Sequence, residues 1–71
     1  MWIKINETIV NLDNVYYIEK VSLISNELLL FVNGGNFSFK YNSIEELKIA
    51  FDKLINMIAE YYDCENQLRE L

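Results

Sequence analysis

Apolar positions recur with two different periods along this chain, and the change falls near Tyr41. Before it they alternate, the period of a strand with one buried face. After it they recur every three to four residues, the period of an amphipathic helix. Residues 1–41 are therefore predicted as sheet and 43–62 as helix, within a single domain spanning 1–71. No linker, repeat or low-complexity stretch separates the two parts.

Trp2, Ile3, Lys4 and Ile5 alternate and predict a first strand, with Asn6-Glu7 as a tight turn into a short partner at 8–10. Asn11-Leu12-Asp13-Asn14 is turn chemistry, because Asn and Asp bond their own backbone. Residues 15–21 are β-branched and aromatic and predict a strand, with Val15, Tyr17 and Glu19 on one face and Tyr16, Ile18 and Lys20 on the other. After a polar connection at 22–26, residues 28–32 are apolar on both faces. Asn33-Gly34-Gly35-Asn36 supplies the positive φ that a two-residue hairpin needs. Residues 37–41 then alternate, with Phe37, Phe39 and Tyr41 on one face.

Ser43-Ile44-Glu45-Glu46 has the form of a capping box opening the helix. At about 100° per residue, Leu47, Ala50, Phe51, Leu54, Ile55, Ile58, Tyr61 and Tyr62 share one arc, with Lys48, Asp52, Asn56 and Glu60 opposite. The stripe fails after Tyr62, where Glu65 and Arg69 fall in the arc and Cys64, Leu68 and Leu71 form a rotated one. Residues 63–71 are either a frayed tail or a helical extension that meets another molecule. The fold class is α+β: an antiparallel β-meander of four to five strands with one C-terminal helix packed across one face.

One helix covers one face of such a sheet. If Phe37, Phe39 and Tyr41 meet it, Leu29 and Phe31 are left on the far side. A chain of 71 residues has a marginal core, and its single cysteine cannot form an internal disulfide. A homodimer or higher oligomer is therefore expected, with Leu29, Phe31, Tyr61, Tyr62 and Leu68 at the interface. The alternative is a strongly curled sheet that folds both faces into one core.

Charge and chemistry narrow the function. Six Lys and Arg stand against 11 Asp and Glu, for a net charge of -5, and Lys4, Lys20 and Lys40 are scattered. Without a basic face, nucleic acid is not an expected partner. The longest apolar run, Leu28 to Val32, is far short of a membrane span, and Lys4 and Glu7 interrupt residues 1–10 as a signal peptide. A lone thiol and no export signal lead to a cytoplasmic expectation. The absence of histidine removes the usual general base, His-based zinc sites and His-activated nucleophiles. Cys64 lies between Asp63 and Glu65, which disfavour the thiolate.

Other polar clusters have local explanations. Glu45 and Glu46 cap the helix, and Asn11, Asp13 and Asn14 lack the length and Glu of a calcium loop. Gly34-Gly35 lacks the Lys-Ser/Thr and helix N-terminus of a phosphate loop. No catalytic residue, metal or cofactor is expected, and the chain is read as a non-enzyme. Two binding readings stay open. Trp2, Tyr16, Tyr17 and Tyr41 can stack a nucleotide-like ligand with Lys4, Lys20 or Lys40 on its phosphate. Otherwise Phe and Trp are core, the tyrosine hydroxyls stand at the rim, and the chain binds protein alone.

WIKIN, IVNLDNVYYIEK and FVNGGNFSFKYNSIEELKIAFDKL together resemble a loose class of short proteins of low-GC Gram-positive bacteria, their phages and mobile elements. The resemblance covers residues 1 to about 60, and its motifs are a turn, a hairpin and a cap. Leu47 stands where such sequences often show Ala. The resemblance implies a small acidic cytoplasmic protein that inhibits a host defence system by occupancy. It would bind a host protein or sequester a small nucleotide-like molecule. It implies no catalytic residue.

Overall fold

Residues 1–62, with side chains through Tyr61, are described by a computed structural model. Five strands precede one helix: β1 (Trp2–Ile5), β2 (Thr8–Asn11), β3 (Val15–Val21), β4 (Asn26–Val32), β5 (Gly35–Tyr41) and α1 (Ile44–Tyr62). This is the expected α+β meander, but its strands divide into two sheets, β1-β2 and β3-β4-β5. The break is local chemistry. The Asn11 side chain accepts a hydrogen bond from the Asp13 backbone N–H at 3.1 Å. It thereby caps a single 3-10 turn, Leu12–Asn14, that interrupts the extended chain.

The turns follow their residue types. Asn6 takes a φ of 54° between β1 and β2, a conformation Asn tolerates. Asn33 and Gly34 connect β4 to β5, with Gly34 at φ 93° and Gly35 already the first residue of β5. At the start of α1, the Glu46 N–H donates to Ser43 Oγ at 3.2 Å, as a capping box requires. The Glu46 carboxylate accepts from the Asn42 N–H at 3.1 Å, one residue further out than the usual reciprocal bond.

The hairpin β1-β2 and the helix share one face of the three-stranded sheet. Ile3, Ile5 and Val10 from the hairpin, Leu28, Leu30 and Phe39 from the sheet, and Leu47 and Leu54 from α1 form a single buried cluster. Each fully buried leucine there contributes roughly 1.5–3 kcal/mol of transfer free energy. Met57, outside the expected helical arc, also packs on this cluster.

The register corrects one expectation. Val15 pairs with Val32 and Tyr17 with Phe31, so Tyr16 is an extra, bulged residue. The bulge turns Val15 to the same face as Ile18, and both pack on the core, whereas Tyr17 and Glu19 face away. Strict alternation had placed Val15 with Tyr17 and Glu19. One core is enclosed, between one face of β3-β4-β5 and the hairpin and helix; among the described residues no element packs on the far face of that sheet.

Candidate functional site

Two apolar side chains from β3 and two from α1 line one groove. Val15, Ile18, Ile55 and Ile58 line it together with Leu12, Tyr16 and Tyr61, and Tyr17 borders it although its ring turns to the far face. Its volume is about 340 Å³, at the low end for a ligand site. The bulge at Tyr16 builds this groove, since it brings Val15 and Ile18 to one side and leaves the Tyr16 ring 73% exposed. Charge enters the described lining through the Met1 amine and the Asp13 carboxylate, which meet at 3.2 Å. Among the described residues the lining holds neither lysine nor arginine.

The other expected ligand residues lie elsewhere. Lys4 and Tyr41 share a cleft between β1 and α1, joined there by Asn6 and Lys53 over Leu28 and Leu54. Partial burial raises the Tyr41 phenol above its ordinary value. Trp2 lies across a shallow depression with Ile9, Val32 and Phe37. Lys20 sits over the Phe51 ring, its ammonium 4.8 Å from the centroid, a cation–π contact on the core side of the sheet. Lys40 pairs across strands with Glu27 on the far face. The seven candidates are therefore spread over separate surfaces. Tyr16 and Tyr17 meet at one, and Lys4 and Tyr41 at another.

The far face of the sheet is mixed in character. Leu29 and Phe31, expected at an interface, are half-buried there, and the Tyr17 ring lies 5.0 Å from that of Phe31. The Tyr17 hydroxyl donates to Glu19 at 2.7 Å, and this bond to a carboxylate holds the phenol above its usual range. The Glu27 carboxylate accepts from the hydroxyls of Ser25 and Ser38, which with nearby Lys40 lower its pKa. Tyr61 stands on the helix at the first groove, while the Tyr62 side chain, Cys64 and Leu68 lie outside the described residues.

Two surface residues escaped the sequence reading. Leu23 and Ile24, at the tip between β3 and β4, are 95% and 100% exposed. The segment reads as a polar connection only if its serines are weighed; adjacent aliphatics between serines were the available signal. Ile55 and Ile58 fall in the predicted apolar arc of α1, and its packing against the bulged strand makes them groove walls, Ile58 also touching the core cluster. Among the described residues there is no metal-binding cluster of His, Cys, Asp or Glu, and no helix long and apolar enough to cross a membrane. Comparison with known proteins finds no matching family model, no matching curated protein and no matching solved structure.

Proposed function

We propose that this chain is a non-enzymatic, cytoplasmic binding module that self-associates and acts by occupying an apolar surface of a partner protein. The observation that carries this reading is the amount of large apolar side chain left in water. Trp2 is 69% exposed, Tyr16 73%, Leu23 95% and Ile24 100%. Large apolar and aromatic residues of this kind are what central contacts of protein interfaces are made of, and Tyr16 among them lines the apolar groove. The groove supports a protein partner over a nucleotide, since among the described residues the cation at its lining, the Met1 amine, is paired with Asp13.

The motifs shared with short phage and mobile-element proteins add a setting for such occupancy, the inhibition of a host defence component. A second reading, sequestration of a small nucleotide-like molecule, draws support from the Lys4–Tyr41–Lys53 cleft. There two ammonium groups and an aromatic ring accompany the amide of Asn6. Native mass spectrometry of the freshly purified chain separates the two. The protein-binding reading expects an oligomer with no added mass. A discrete extra few hundred daltons per site, lost when Lys4 and Lys53 are replaced by Ala, would overturn it in favour of the small ligand.

A further inference from the structure

The two edges of the three-stranded sheet differ. The β3 edge is interrupted by the bulge at Tyr16 and carries Glu19 and Lys20, devices that discourage strand addition. The β5 edge carries none of these except Lys40. All seven residues of β5 pair with β4 in unbroken register, from Val32–Gly35 to Asn26–Tyr41. There is no proline in the chain. Among the described residues, the backbone hydrogen bonds outside the helix and the strand ladders, Leu12 N–H to Met1 C=O and Leu47 N–H to Ser43 C=O at the start of α1, do not involve β5. Its outward N–H and C=O groups thus form a straight row addressed to another extended strand.

We propose that this edge pairs antiparallel with β5 of a second copy, joining two three-stranded sheets into one of six strands across a two-fold axis near Ser38. The inference rests on the self-association in the reading above and names its surface. What selects a second copy is the strand's own order, Gly-Asn-Phe-Ser-Phe-Lys-Tyr, whose polarity is the same read from either end. Reversed about Ser38, Phe37 stands opposite Phe39 of the second copy on the helix side. Asn36 stands opposite its Lys40 on the far side. Each Tyr41 lies opposite a Gly35, an arrangement in which an aromatic ring covers a glycine. The only charge on the strand faces a neutral amide, so no like charges meet. Leu29 and Phe31 of the two copies then continue one far face.

Charge at position 36 tests this directly, because Asn36 is exposed and its pair across the axis is a lysine. Analytical ultracentrifugation of the full chain should show a dimer that Asn36→Glu tightens and Asn36→Lys loosens, the two differing on the order of tenfold in dissociation constant. In a Cys64→Ser background, Ser38→Cys should give a disulfide-linked dimer on mild oxidation, and Ile49→Cys, on the exposed side of α1, should not. A chain that stays monomeric at millimolar concentration overturns both the edge pairing and the self-association. An oligomer indifferent to both Asn36 changes, with no Ser38→Cys dimer, overturns the edge pairing alone.

Discussion

The two faces of β4 carry nearly the same chemistry and meet opposite fates. Leu28 and Leu30 are 1% and 0% exposed, under the helix and the β1-β2 hairpin. Leu29 and Phe31, interleaved with them, are only half-buried on the far face. The strand itself does not choose between its faces. Its neighbour does: β5 offers Phe37, Phe39 and Tyr41 to one side and Asn36, Ser38 and Lys40 to the other, so the helix covers the aromatic side. The far face keeps a polar network, Tyr17 to Glu19 and Glu27 to Ser38, around its apolar residues. A face that is half apolar and half hydrogen-bonded suits contact with a partner more than a permanent interior.

The sharpest way to break this contrast is to truncate both faces. Leu30→Ala should cost about 2–5 kcal/mol, since it opens a cavity under the helix, and thermal unfolding should show a loss of Tm by ten degrees or more at roughly 4–8 °C per kcal/mol. Leu29→Ala, one residue away, should cost about 1 kcal/mol or less. Equal losses would mean that the far face is as enclosed as the core.

The turn that sets the register comes next in size. Gly34→Ala places a side chain at φ 93°, a strained conformation although its surroundings are open. It should cost about 1–2 kcal/mol in denaturant unfolding with an unchanged m-value. A changed m-value would show that the register of β5, and with it the choice of face, had slipped.

The smallest effect concerns the polar half of the far face. The serine hydroxyls lower the Glu27 pKa below its ordinary value of 4.5, so the ionised form is the one that folding favours. Its contribution is present above that value and is lost as pH falls through the lower, folded one. The stability difference between the native chain and Glu27→Gln should shrink over that acid range. Ser38→Ala should move the Glu27 titration, followed by NMR, upward. A titration that does not move would remove Ser38 from the network.

Local rules carried most of the fold. The Asn33-Gly34 turn, the Ser43 cap, the alternation of β5 and the stripe of α1 each depend on neighbours within a few residues, and each stands where its residue types place it. Less of the site was legible. Lys4 and Tyr41 are 37 positions apart in the chain and meet only because the hairpin is laid beside the helix. The groove depends on a bulge that no residue at Tyr16 announces, because Tyr-Tyr-Ile reads equally well as regular strand.

Sequence alone determined that this chain is sheet followed by helix, that its turns fall at Asn and Gly, and that it carries more apolar surface than one helix can cover. These follow from side-chain period and backbone preference, which act over one or two turns of chain. Tertiary structure decided that the strands part into two sheets, that Val15 turns inward, and that the bulge at Tyr16 opens a groove against α1. Those outcomes depend on how separate elements compete for one small core, a balance of contacts between residues far apart in the chain.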